Sequence, residues 1–409
     1  MPGDPSGERQ FTFDYDPGEL RCGRGCVGDL GDALADRGLD SALVVTGTNV
    51  GANRAVIDPV EAGLGERLAG VFDETTPEKS LATGLAAARR VRAADIDALV
   101  AVGSGSSLDV SKVASALGSH DDPGAAAERA VETGAVPVAE DGDPTPVVAV
   151  PTTLAGADLS VLAGATLSLD PTGTPDEAIP GGGVSDGRLM PTALRYDPAL
   201  FETTPKGVLC ASAMNGFDKA VECLYSPHAT PVTDGTAVRA LSLASSGFET
   251  LPEDDMDERK LYEAVAGVVC AQYGISTTGA YRASVIHAFG HGLDSYGIHQ
   301  GTAHGILAPH VLRHLFEEVD GRRDLLARGL GVYDEDATDA ELADRVVDAV
   351  AGISDDLGLP SRLRDIEGVS REDFPGIAEV VATDSFLDSA PEGLDLDTDD
   401  VVDLLDEAR

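Results

Sequence analysis

Hydrophobic positions in the first half of the chain follow two rhythms. Short unbroken apolar runs at 41–46, 96–102 and 147–150 read as buried strands, and Ala and Leu recur at helical spacing over 58–70, 80–93 and 107–117. Strands alternating with helices of this length predict a parallel sheet with crossover helices. From about residue 197 the strand rhythm fades. Ala-, Leu- and Val-rich helical patterns take over at 206–226, 231–249, 257–278, 279–294, 303–318, 339–357, 371–383 and 398–408. The expected fold class is therefore an α/β N-terminal domain over 1–196 with a parallel sheet, followed by an all-α domain over 197–409. Pro, Gly, Asp and Thr crowd 170–187, which predicts an exposed loop or hairpin tip. No internal repeat and no coiled-coil heptad interrupts this plan.

A chain of 409 residues can bury a large core, which suits two domains better than one. Acidic residues outnumber basic ones 71 to 29 for a net charge of −42, a balance that repels nucleic-acid phosphates and anionic lipid alike. Nucleic acid and membrane are excluded as partners on that ground. The charge is spread along the chain and lysine is scarce, with only Lys79, Lys112, Lys206, Lys219 and Lys260 present. A surface of this kind is expected of a halophilic protein in molar salt, where screening shortens the reach of carboxylate repulsion to about 3 Å. Five cysteines without a paired Cys-x-x-Cys pattern fit a reducing compartment. The polar stretch 1–10 has no apolar signal segment, and no run of about 18 apolar residues occurs, so a cytoplasmic location is expected.

Three constellations carry candidate chemistry. The strand ending at 102 runs into GSGSSLDVSK (103–112) at a helix start. Gly103 and Gly105 let the backbone approach a phosphate, helix N–H groups attract anions, and Ser104 and Ser106 can add bonds. Alone this turn also fits an unliganded tight turn. Asp109 and Lys112 lie three residues apart on nearly one face of that helix, and read either as a surface pair or as part of the site. The second constellation is a run of six of the eight histidines: His287, His291, His299, His304, His310 and His314. His287 and His291 share a helix face, as half of a metal site or a proton-transfer site would. In the third, MNGFDKAVECLY (214–225), Asn215 and Lys219 share one face, and Asp218 and Glu222 a neighbouring one.

These segments resemble motifs of the iron-containing alcohol dehydrogenase superfamily, in order and over essentially the whole chain. GSGSSLDVSK is similar to that family's GGGSxxDxAK turn, and PTTLAGADLS (151–160), with Thr152 and Thr153, to its second nucleotide-contacting loop. MPTALRYDPAL (190–200) resembles its inter-domain segment and TDDVVDLLDEAR (398–409) its closing helix. The resemblance implies a dehydroquinate synthase-like architecture: a dinucleotide-binding domain, a helical catalytic domain, and hydride transfer between nicotinamide and a small-molecule carbonyl. In metal-dependent members an aspartate and three histidines hold the ion. Here Asn215 stands where the aspartate is expected and Lys219 where the first histidine is. His287 matches the next ligand, His291 a non-ligand histidine, and the last ligand falls at Gln300 or, shifted by one, at His299.

An amide and an ammonium are poor partners for a divalent cation, so no catalytic metal is expected. If one is bound, His287 and His299 are the ligands to look for. One branch, the maleylacetate reductases, is similar in the same places through PTTxAGSE and MNAxAHxVExLYA, and shares the asparagine. That branch works without metal and uses NADH or NADPH to reduce an activated double bond in a dicarboxylate. Lys219 departs from both patterns. NADP is the expected cofactor over NAD, because Gly47, at the end of the second strand, offers no carboxylate to repel a 2′-phosphate.

The catalytic set is thus Lys219, His287, His291 and Asn215, in a metal-independent NAD(P)H reductase assembled as a homodimer. A metal-dependent alcohol dehydrogenase in a shifted register (Asp218, Glu222, His287 and His299 or His304) and a non-catalytic nucleotide-binding homologue are the alternatives. The acidic surface predicts that the fold is lost when salt is removed. Circular dichroism during dialysis checks this, and a full native signal without salt would defeat it.

Overall fold

The computed structural model describes residues 11–170, 181–277 and 279–409. The polar start at 1–10 and, of the stretch 170–187 read above as a loop or hairpin tip, residues 171–180 lie outside the described residues. The chain divides into two compact units, one of residues 16–153 and 157–204, the other of 1–15, 154–156 and 205–409. The division falls at 204/205 rather than 196/197. The short helix Pro198–Phe201 stays with the sheet, because Leu200 belongs to the hydrophobic cluster beneath it.

In the first unit the strands are β1 (Glu19–Cys22), β2 (Ala42–Gly47), β3 (Leu68–Thr75), β4 (Ala98–Gly103), β5 (Val147–Pro151), β6 (Leu162–Thr166), β7 (Gly181–Ser185) and β8 (Ala193–Tyr196). Six of them form one sheet in the order β1-β8-β5-β4-β2-β3, every pairing parallel. β6 and β7 make a separate antiparallel pair. The central strands β4 and β5 are buried from end to end, as the apolar runs predict. Val44, Val100, Val148 and Leu30 are among the side chains of the cluster.

The edge strands escaped the apolar-run signal. β1 alternates half-buried with exposed residues, and β3 exposes Asp73 and Glu74. The helix expected over 58–70 ends at Leu64, where Gly65 turns the chain at φ 56°, and β3 follows.

The second unit is mainly helical. Its helices include Lys206–Tyr225, Pro231–Gly247, Glu258–Gln272, Val285–Asp294, Gln300–Glu318, Arg323–Leu330, Asp339–Asp356, Phe374–Ala382 and Thr398–Glu407. The helices read over 257–278 and 279–294 are shorter than expected, ending at Gln272 and starting at Val285. Gly274, at φ 83°, breaks the chain into a short antiparallel pair, Ser276–Thr277 with Ala280–Tyr281. No helix among the described residues is long and apolar enough to cross a membrane.

The helix Lys206–Tyr225 is the hub of this unit, since every residue from Leu209 to Tyr225 is buried. Polar side chains at 215, 218, 219 and 222 are therefore carried into the interior, where each needs a partner. Two glycines permit the close approaches that supply them. A Cβ on Gly216 would lie 2.2 Å from the carbonyl oxygen of Leu154, and one on Gly301 1.7 Å from that of Ala211. Gly301 thus lets the helix Gln300–Glu318 start against the hub. Gly301→Ala is expected to cost about 1–3 kcal/mol, the usual range for an overfilled core. Urea unfolding in high salt measures it, and an unchanged midpoint would contradict so close a contact.

Candidate active site

The α/β unit ends β4 in the turn singled out from sequence. Gly103 has φ 132°, and a Cβ there would come within 3.0 Å of Ser107 Oγ. The helix Gly105–Gly118 then begins with Ser104 as its N-cap. The Ser104 hydroxyl does not cap it but meets Ser106 Oγ at 2.9 Å. The first-turn N–H groups are left without a side-chain cap, which is the donor set an anion takes. Thr152, at the end of β5, donates its N–H to the carbonyl of Gly103 at 2.8 Å, so the second loop is joined to the turn, and Thr152 and Thr153 are both buried. Gly47 ends β2 with its missing Cβ facing the carbonyl oxygen of Thr75 at 3.3 Å. These residues fit a dinucleotide pyrophosphate.

Asp109 and Lys112, read from sequence either as a surface pair or as part of the cofactor site, each have a separate partner. Asp109 accepts from Lys79 Nζ at 3.0 Å. Lys112 is fully buried, and its ammonium donates to the carbonyls of Ser160 and Leu162 at 2.6 and 3.0 Å, so it braces the second loop from behind. Burial pushes its pKa down to about 8 against the opposing pull of Asp109 and Asp158.

In the helical unit three of the four expected catalytic residues converge. Lys219 Nζ donates to Asn215 Oδ1 at 2.9 Å and lies 3.1 Å from His287 Nε2, while those two acceptors are 3.2 Å apart. Asn215 Nδ2 turns the other way, to Gln300 Oε1 at 3.4 Å. The segment Leu154–Gly156 runs alongside, with Gly156 at φ 69° and its missing Cβ 3.4 Å from Lys219 Cδ. Desolvation, and then the charge of Lys219, holds the His287 pKa well below the usual histidine range, so its ring is neutral.

His291, the fourth, sits on the next turn of the same helix and is 39 % exposed. Its Nδ1 meets Asp384 Oδ2 at 2.7 Å and its ring stacks on Phe386 with centroids 4.8 Å apart. Phe386 also stands at right angles to the His287 ring at 5.8 Å, so one aromatic ring contacts both histidines.

Sequence reasoning undervalued what lies beneath. Glu222 is completely buried. Its Oε1 accepts from the N–H groups of Ile286 and His287 at 2.7 and 3.2 Å and from the Tyr225 hydroxyl at 3.1 Å, while Oε2 faces His287 Nδ1. Burial raises the Glu222 pKa, and the backbone donors pull it back. Asp218 and His304, both fully buried, approach to 2.9 Å but out of line for a hydrogen bond. Desolvation raises the Asp218 pKa well above its usual value and pushes that of His304 down to about 3. A Cβ on residue 290 would lie 2.3 Å from His304 Nε2, so glycine makes the room for that ring.

A divalent metal does not fit this donor set. An ammonium stands within hydrogen-bond distance of both Asn215 Oδ1 and His287 Nε2, and the fourth position carries Gln300. His299, the alternative ligand, instead caps its own helix, accepting the N–H of Gly301 at 3.2 Å. The shifted register fails as well. Asp218 faces His304 and Glu222 faces His287, and among the described residues no three His, Cys, Asp or Glu side chains could hold an ion together. Gln300 and Glu222 were reachable from helix spacing, whereas Asp384 lies 93 residues from the histidine it orients and leaves no local signal.

Comparison with known proteins agrees with this architecture. Residues 17–178 match the family described as iron-containing alcohol dehydrogenase, and residues 209–409 match the C-terminal part of the Fe-containing alcohol dehydrogenase family. The chain is 26% identical to a lactaldehyde reductase of Escherichia coli (strain K12) over 387 residues, covering 93% of this chain and 95% of that protein. It is 26% identical to a maleylacetate reductase of Pseudomonas aeruginosa over 404 residues, 97% of each. Among solved structures it superposes on an alcohol dehydrogenase from Oenococcus oeni with a TM-score of 0.85 at 23% identity, covering 97% of this chain and all of the other. This last likeness shows the fold.

Proposed function

Since the chain belongs to the iron-containing alcohol dehydrogenase family and is a dehydrogenase or reductase, we propose that it is a metal-independent, NAD(P)H-dependent reductase of an activated carbonyl, enol or dicarboxylate, with Lys219 as the electrophile. The observation that carries this reading is the Lys219 ammonium, held at 2.9 Å by Asn215 and 3.1 Å from His287, where the family pattern puts metal ligands.

A bound nicotinamide supplies the hydride, and Gly103, Ser104, Gly105, Ser106, Thr152 and Thr153 would hold its pyrophosphate. Lys219 donates a hydrogen bond to the substrate oxygen as negative charge develops there, in a buried setting where such a bond counts for more than in water. Asn215 and His287 keep the ammonium in place without competing for charge, because both are neutral. His291, oriented by Asp384 and partly exposed, is suited to carry a proton between the site and solvent. The asparagine shared with the maleylacetate reductase pattern supports a dicarboxylate substrate.

Chelators are expected to leave turnover of NADPH with maleylacetate intact, whereas Lys219→Ala lowers kcat about 10²–10³-fold, the usual loss for one oxyanion donor. Full activity in that variant would sink the electrophile role. In paired titrations the wild type is expected to favour NADPH, and Gly47→Asp to move the preference to NADH. A wild type that already prefers NADH would contradict the reading of Gly47.

A further inference from the structure

We propose that Glu222 is a positioning residue that fixes the tautomer of His287 and through it the aim of the Lys219 ammonium, an inference that rests on the electrophile reading of Lys219. One carboxylate oxygen of Glu222 is fully committed. Three donors, the Ile286 and His287 N–H groups and the Tyr225 hydroxyl, converge on Oε1. Two of them come from the first turn of the helix Val285–Asp294, where the helix dipole favours a negative charge. A carboxylate with one oxygen so occupied offers the other, Oε2, as an acceptor, and the group facing it is His287 Nδ1. The proton of the neutral ring therefore sits on Nδ1.

Nε2 is then a bare lone pair, 3.1 Å from Lys219 Nζ. The same assignment explains why Asn215 Oδ1 and His287 Nε2 stand only 3.2 Å apart. Both are acceptors, and they tolerate each other because the ammonium donates to both. The amide orientation is consistent, since Asn215 Nδ2 is left to meet Gln300 Oε1. Carboxylate, imidazole and ammonium form one chain in which the buried negative charge of Glu222 balances the buried positive charge of Lys219. With the other tautomer an N–H would point at the ammonium, and Lys219 would be turned out of the site.

Glu222→Gln separates the two cases. Its amide oxygen can keep the backbone donors, but its NH₂ faces Nδ1, which becomes the acceptor and sends the ring proton to Nε2. The test is ¹⁵N NMR of the imidazole nitrogens in histidine-labelled full-length protein, with His287→Asn assigning the signals, alongside kinetics. In the wild type the expected spectrum shows a protonated Nδ1 and a bare Nε2. In Glu222→Gln the two exchange, kcat falls about 100-fold, and the Kd for NADPH stays within twofold. A protonated Nε2 in the wild type overturns the proposal even if the variant does not fold. So does a Glu222→Gln enzyme with an exchanged tautomer and unchanged kcat. A Lys219→Ala enzyme that keeps its turnover removes the electrophile reading instead and leaves the tautomer result standing.

Discussion

The hydrogen bonds that hold the Lys219 ammonium between an amide oxygen and an imidazole nitrogen are the constraint on which the helical unit is arranged. A buried ammonium is costly unless its donors are met and its charge is balanced. The surrounding structure supplies both. Asn215 and His287 accept from it, and Glu222, one turn further along the same helix, carries the compensating charge. Gly301 brings Gln300 against Asn215, and Gly290 leaves space for His304 under His287.

The α/β unit shows the same economy of polar groups in a buried setting. Lys112 reaches back from the helix behind the phosphate turn and donates to the carbonyls of Ser160, at the end of the second loop, and Leu162, at the start of β6. Thr152 ties the start of that loop to Gly103. The turn and loop are thus held by bonds that leave the uncapped helix N-terminus available to an anion, which is the condition for a pre-organised phosphate site.

Much of this was legible in the sequence, and the parts that were not have physical reasons. Central strands such as 98–103 are buried on both faces and announce themselves as apolar runs, whereas β1 and β3 lie at the sheet edges, where polar residues are tolerated. The grouping of Asn215, Lys219 and His287 followed from helix spacing and motif order. Glu222 and Gln300 were named from the same spacing and motif order, but what each of them touches, and Asp384 altogether, depends on contacts between distant segments that leave no local signal. Lys112 was singled out as a retained lysine, but a sequence cannot say whether an ammonium faces a ligand or the carbonyls behind it.

The central claim is that an internal ammonium serves where relatives in the family use an ion. Metal analysis of the active protein, purified in high salt, exposed to ferrous iron and zinc and then dialysed, tests it most directly. Far less than one metal ion per chain with turnover unchanged is the predicted result, and about one ion per chain whose removal abolishes turnover would contradict it.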